Sequence, residues 1–374
     1  LVGSEMCIRD RFSMLCILAL SVSFTSCSDD DDNSQDEGSK VTLPHTRAFF
    51  LNEGSQNANN AGLAFYAPNG DADFISDIYK KQNNAQLGDL GQSMIKYEDE
   101  IYIAVCGSNY LTKLNAAGVE QKRVSFVNDP DLGAGIRYIA AENGYIYASF
   151  YAGTVAKINA NTLTVEDKLT GLGGNLEGVA ISNGMLYVAN SYNPTDYAKY
   201  KDIRVIDLST FKLKETLTVG LNPNTLIEKN GKVFVISWGN YEDVGYSLQM
   251  IDPAANNKVT ELGVATRMCA YDDVLYLANS ITIDWKTHEA INTFFTYNIK
   301  TGQMNNTSFL KNAPDKLMST TLYMLEVNDN NGDIYISTSD SKTNGTIYRF
   351  KKDGTFVEQF DAGGINPSTA IFFN

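Results

Sequence analysis

A strand motif that recurs seven times, tight polar hairpin turns ahead of six of its copies, and a chain end that resembles the strand missing from its start together predict an all-β fold. That fold is a seven-bladed β-propeller of four-stranded antiparallel blades. The motif is a short alternating strand ending in an apolar residue, usually followed by Asn or Asp. Its last residues are Tyr66, Leu114, Ile158, Ile206, Ile251, Tyr297 and Phe350, spaced 44 to 53 residues apart. A period of that length is the size of one propeller blade.

A second piece precedes each later copy: an apolar strand, a polar turn, then a strand with Tyr or Phe at a fixed place. It reads Tyr97–Tyr102, Glu142–Tyr147, Ser182–Tyr187, Lys229–Phe234, Tyr271–Tyr276 and Asn331–Tyr335. Asn-Gly stands in the turn at Asn143-Gly144, Asn183-Gly184 and Asn230-Gly231. Both positions of such a turn need positive φ, which Asn and Gly accept at least cost. Each unit is therefore expected to be a four-stranded meander. The first copy begins with Arg47–Asn52, equivalent to a second strand, and the chain's last segment, Asn366–Phe373, resembles the first strand Asn222–Ile227. The C-terminus is expected to supply the innermost strand of blade one, closing the ring and removing two sheet edges.

Ahead of the repeats lie an address and a tether. Phe12–Phe24 is a 13-residue apolar run, too short to span about 30 Å of hydrocarbon, and reads as a signal-peptide core. The following Phe24-Thr25-Ser26-Cys27 and the four aspartates Asp29–Asp32 resemble a bacterial lipoprotein signal with a surface-export tag of Bacteroidetes type. That resemblance implies cleavage before Cys27, lipidation of Cys27 and anchoring on the outer face of the outer membrane. Phe24 and Ser26 depart from the usual Leu and Gly/Ala of the motif. The alternative is a charged linker after a chance cysteine. Leu1–Arg11 lack the net positive charge of a leader's start and resemble translated adapter sequence. The division is thus a signal peptide over 1–26 (1–11 non-native), a lipidated acidic tether over 27–46 that behaves as a solvated spacer, and the propeller over 47–374.

Composition narrows function. With 30 Lys+Arg against 44 Asp+Glu the net charge is −14, which argues against a nucleic-acid partner, whose phosphates are met by basic surface. Only 2 His and 5 Cys are present, little material for a histidine-based catalytic site or a zinc cage. His45 falls in the tether and leaves His288, in a long blade-six loop over Ile281–Asn292, for any triad or for contact with a metal-centred ligand; a solvated surface His is the plainer reading. Asp329, Asn331 and Asp333 are spaced like a calcium loop, but Ile334 stands where that loop needs Gly, so a blade-seven hairpin turn is expected. Cys106 and Cys269, on nonadjacent blades, are expected as two buried free thiols. The reading is of a protein that is not an enzyme, with no cofactor and no bound metal.

The repeat, Asn-Gly then Tyr187-Val188-Ala189-Asn190 then Val205-Ile206-Asp207 with Thr210 three further on, resembles the YncE-like seven-bladed propellers over the whole body. Gly345–Gly354 and Phe360–Pro367 echo the C-terminal signature of Bacteroidetes surface lipoprotein propellers of that group. One class of these, the BtuG-type, captures cobalamin beside a TonB-dependent transporter. The resemblance implies ligand binding at the cell surface, with a corrinoid as one candidate and an outer-membrane transporter as a possible partner.

In a propeller, the loops that enter the innermost strands share a face with those that leave the second strands, and that face is the default ligand site. Aligned from the hairpins, the mouth of the channel is expected to carry Ser93, Arg137, Glu177, Asn224, Arg267, Thr320 and Ser368. Arg137 and Arg267 suit phosphate, carboxylate or amide groups; a self-neutralising Arg–Glu network with water is the alternative. The second-strand loops contribute Tyr110, Phe150, Tyr151, Tyr192, Tyr197, Tyr200, Trp238, Tyr241, Tyr246 and Trp285, amphipathic side chains suited to binding hot spots, although some are expected to pack on the blades beneath. Asn52, Glu53, Asn190, Asn279 and Asp340 lie beside them as hydrogen-bond partners. Ligand capture, a protein- or glycan-interaction module of the cell envelope, and less readily a propeller lyase or hydrolase remain the three readings.

Overall fold

The computed structural model describes residues 36–67 and 74–374. The leader Phe12–Phe24, the segment Leu1–Arg11, Cys27 and the aspartates Asp29–Asp32 lie outside the described residues. The rest folds into seven four-stranded antiparallel sheets, the seven-bladed β-propeller that the repeat implies. The innermost strands are Pro367–Phe373, Gly91–Tyr97, Ile136–Glu142, Asn175–Ser182, Pro223–Lys229, Arg267–Tyr271 and Leu322–Val327, for blades one to seven. The expected closure is observed: Pro367–Phe373 pairs with Arg47–Asn52, from Arg47 opposite Phe373 to Asn52 opposite Pro367.

The local chemistry of the repeat explains its strands. Asn143 and Gly144 have φ of 53° and 81°, Asn183 and Gly184 52° and 71°, and Asn230 and Gly231 55° and 74°. Those are the doubly positive turns that match strand twist in a two-residue hairpin. Each marker residue is the last or next-to-last of a third strand, whose alternate side chains face the two neighbouring blades. The result is seven apolar clusters among the described residues, one per blade interface. Fully burying each large side chain contributes about 1.5–3 kcal/mol, so the ring is held by many equivalent contacts.

The closing interface is strongly aromatic. Tyr66 of blade one stacks on Phe360 of blade seven at 4.5 Å, Phe50 meets Tyr335 at 5.7 Å, and Tyr335 meets Phe372 at 5.1 Å. Arg349 crosses it, donating to Asp333 at 2.7 Å, to the Tyr66 hydroxyl at 3.0 Å and to Glu358 at 3.0 Å. Asp333, one of the calcium-like trio, is thus an ion-pair partner flanking a hairpin turn, as the missing Gly indicated.

Two expectations are corrected. Residues 36–46 are packed on blades one and two: Asp36 pairs with Arg47 at 2.7 Å, Asn115 donates to the Glu37 carbonyl at 2.8 Å, and Leu43 is buried in the first core cluster. Sparse apolar content misled here, because side-chain amides on blades one and two receive this polar segment. It attaches beside Arg47, at the end of the blade remote from the channel mouth. The Ile281–Asn292 loop is instead a β-hairpin, with strands Val274–Asp284 and Glu289–Asn298 paired up to Asp284 opposite Glu289.

Candidate ligand-binding site at the channel mouth

The innermost strands do not alternate strictly where they begin. The register slips between Gly91 and Ser93, Ile136 and Ile139, Leu176 and Val179, Pro223 and Thr225, and Leu322 and Met324. A bulge leaves residues unpaired and re-aims their side chains. Gln92, Arg137, Tyr138 and Tyr323 fall within these slips and line a channel cavity of about 500 Å3, together with Glu53, Ser93, Trp238, Arg267 and Ser368. Gly178 lies in another slip, and a Cβ there would sit 2.3 Å from the Asn224 carbonyl, so blades four and five approach through a bare backbone.

The two arginines behave differently. Arg137 donates from Nε to Glu177 Oε2 at 2.9 Å, with Nη2 2.8 Å from the same oxygen. Its Nη1 donates to Gln92 and to Cys106 Sγ at 3.4 Å, and its guanidinium lies 4.6 Å from the Tyr151 ring centre. Burial works against the Arg137 charge, but the Glu177 carboxylate more than compensates and holds it firmly protonated. Arg267 instead spends its donors on backbone: Nε to the Tyr323 carbonyl at 2.8 Å, Nη1 to that of Thr266 at 2.7 Å and Nη2 to that of Leu322 at 2.9 Å. No carboxylate among the described residues is ion-paired to it. The self-neutralising alternative therefore fits Arg137 and Glu177 but leaves Arg267 without a direct ion pair among the described residues. Glu53 accepts from the Tyr323 hydroxyl, and burial pushes its carboxyl above the ordinary range against the pull of Arg137 and Arg267.

Beside the channel lies a recess of about 280 Å3, lined by Arg137, Tyr151, Glu177, Ser191, Tyr192, Tyr197, Lys199, Asn222, Asn224, Trp238 and Tyr241. The Tyr192 hydroxyl donates to that of Tyr151 at 3.3 Å, and Tyr151 donates to Glu177 at 3.2 Å. Tyr192 and Tyr197 stack at 6.3 Å. The Trp238 indole N–H has no acceptor among the described residues.

The fold thus brings together Arg137, Glu177, Asn224, Tyr151, Tyr192, Trp238 and Tyr241 around the recess, with Arg267 in the adjoining channel. It removes others. Tyr110 is 4 % exposed: it begins a third strand, lies under the Arg123 guanidinium at 3.9 Å and bonds the Leu87 carbonyl. Phe150 is likewise core. Thr320 follows the short helix Asp315–Ser319, and the blade-seven slip presents Tyr323 to the channel in its place. Trp285 is 72 % exposed on the blade-six hairpin, away from both cavities. His288 is half-buried with φ 57° at the end of the turn of that hairpin, its carbonyl accepting from Thr321. Cys106 is half-buried beside Arg137, while Cys269 is buried; both are free.

Sequence reasoning missed Gln92, Tyr138, Tyr323 and Lys199, and no periodicity marks them because bulges displace three of the four. It also missed an apolar stripe. Leu275 and Leu277 pack toward blade five, Tyr276 and Ala278 toward blade seven. Continued up the hairpin, the same parity turns Ile281, with Ile291 opposite it, to the blade-five side; past the slip at Thr282–Asp284, Ile283 and the turn residue Trp285 follow, and all four are exposed. Among the described residues, no cluster of His, Cys, Asp or Glu is placed to hold a metal.

The model of a family described as "Domain of unknown function (DUF5074)" matches residues 47–373. No curated protein sequence matches the chain. Among solved structures, a quinonprotein alcohol dehydrogenase-like protein from Bacteroides thetaiotaomicron is similar, with TM-score 0.62 and 16% identity over 87% of this chain and 78% of that one. The structure of U3-55K is similar at TM-score 0.52 and 9% identity, covering 72% of this chain and 81% of that one. So are the RRP9 WD40 repeats, at the same TM-score and identity over 72% and 80%. At such identities the likeness is one of fold.

Proposed function

The chain belongs to the DUF5074 family, and on that premise we propose that it is a ligand-capture module whose channel mouth binds a large, polar nutrient carrying an anionic group. The observation that carries this is Arg267: a guanidinium in the wall of a 500 Å3 cavity, oriented by three backbone carbonyls and in direct ion pair with no carboxylate among the described residues, with Glu53 acting on it only from a distance across the cavity. A fixed cation flanked by Tyr and Trp suits a phosphate or carboxylate on a flat amphipathic body. A corrinoid has that chemistry, and the resemblance to YncE-like and BtuG-type surface propellers makes it the first ligand to try. An anchor at Cys27 on the cell surface would present the propeller to solutes or to a transporter.

Isothermal titration of the full chain with cobalamin tests the reading. Saturable binding at micromolar concentration or tighter is expected, with Arg267→Ala weakening it by about tenfold or more, as loss of one charge-assisted contact does. Absence of heat at micromolar concentration removes the corrinoid. A second reading, an interaction module of the cell envelope, is favoured by the exposed Ile281–Ile283–Trp285–Ile291 stripe, since bare apolar surface of this kind marks contact sites. Recovery of an envelope protein by the wild type but not by Trp285→Ser in a pull-down from outer-membrane extract would favour that reading.

A further inference from the structure

We infer that the recess over blades three to five is a separate site for an acidic sugar ring, a uronate residue or its like. The inference goes beyond the channel reading and rests only on the mouth being a binding face. Its first ground is size: about 280 Å3 holds one substituted six-membered ring, and is small beside pockets for drug-sized ligands. Its second is the lining, in which aromatic faces alternate with short hydrogen-bonding groups. Tyr241 is exposed and offers an aromatic surface to the C–H side of a pyranose, with Tyr192, held against Tyr197 and Lys199, beside it, while the Asn224 amide and the Ser191 hydroxyl, which donates to Asn222, line the recess as polar groups. Asn224 is 3 % exposed; its amide oxygen accepts from the Thr225 hydroxyl at 3.3 Å, and its residue lines the recess.

The third ground is charge. Arg137 and Glu177 cancel one another at 2.8 Å. Lys199 has its ammonium 4.4 Å from the Tyr192 ring centre and 5.8 Å from that of Tyr241, with no carboxylate ion-paired to it among the described residues. A cation already resting on the aromatic faces repels a cationic ligand and attracts an anionic one. The fourth is backbone. Tyr197 and Tyr241, the most exposed aromatics of the recess, hold φ of 59° and 64°. Left-handed conformations are costly for bulky residues and cluster where a side chain must be presented.

The probes are methyl glucuronide and methyl glucoside, which differ in one carboxylate, titrated calorimetrically into the full chain. The glucuronide is expected to bind about tenfold or more tightly than the glucoside, the difference one matched charge pair makes in a partly desolvated site. Lys199→Met is expected to erase that preference. Tyr241→Asn, which keeps a residue that tolerates positive φ, is expected to weaken both glycosides. Equal affinities for the two, a preference that survives Lys199→Met, or no saturable binding of either overturns the assignment. Lys199 lines the recess and not the channel cavity, so the glucuronide preference and the cobalamin isotherm are read at different residues. A failed cobalamin titration therefore strikes only the channel reading, and a failed glucuronide titration only this one.

Discussion

Glu326 shows how one side chain couples the channel to pH. It lies toward the end of the channel opposite the mouth, near Ile227, Glu228, Lys229 and Met268. Burial, with the Asp329 carboxylate second, pushes its carboxyl up to about 8. In the unfolded chain a glutamate ionises near its ordinary value of about 4.3. Between those limits the folded state binds the extra proton, so stability falls as pH rises through that window and levels off above it. Glu326→Gln carries no such proton. Its melting temperature relative to the wild type is therefore expected to climb from pH 4 to pH 8, by the equivalent of about 2 kcal/mol or more, and then to hold. A difference that is flat with pH in thermal melts would show that Glu326 is solvated. At the same scale, the sequence announced Arg137, Arg267, Trp238 and Tyr241 because their residue types are informative wherever they stand. It hid Gln92, Tyr138 and Tyr323, because a bulge is a backbone event with no side-chain signature at these positions.

At the scale of elements, turn chemistry and period carried most of the information. The Asn-Gly turns placed the hairpins, and the apolar ends of the third strands placed the blades. What they could not place was any element set by tertiary contact. The blade-six hairpin reads as a loop because its outer residues are exposed, and its register is instead pinned from blade seven. Asn292, 2 % exposed, donates to the Leu317 and Thr320 carbonyls at 2.7 Å each, tying the hairpin to the helix Asp315–Ser319. Asn292→Ala leaves two carbonyls without that donor and is expected to cost about 1–3 kcal/mol. Hydrogen exchange should quicken around residues 315–321 while the remaining blades stay protected. A melt within about 0.5 kcal/mol of wild type with unchanged exchange would mean that the hairpin stands by itself.

For the whole molecule, closure turns a linear repeat into a site. Arg137, Asn224 and Arg267 are far apart in the chain and meet only because Pro367–Phe373 completes blade one and bends the array into a ring. The repeat count made that geometry legible, but not the depth of the recess or the pairing of Arg137 with Glu177, which depend on how far each inner strand slips. The same ring separates the protein's two tryptophans. Trp238 lines both cavities of the mouth, and Trp285 stands apart on the blade-six hairpin. The indole N–H resonances of protein labelled with nitrogen-15 at tryptophan therefore give one reporter inside the proposed site and one outside it. On titration with cobalamin, saturable movement of the Trp238 signal with Trp285 unmoved is the expected result. Movement of Trp285 alone, or of neither, would contradict ligand capture at the channel mouth.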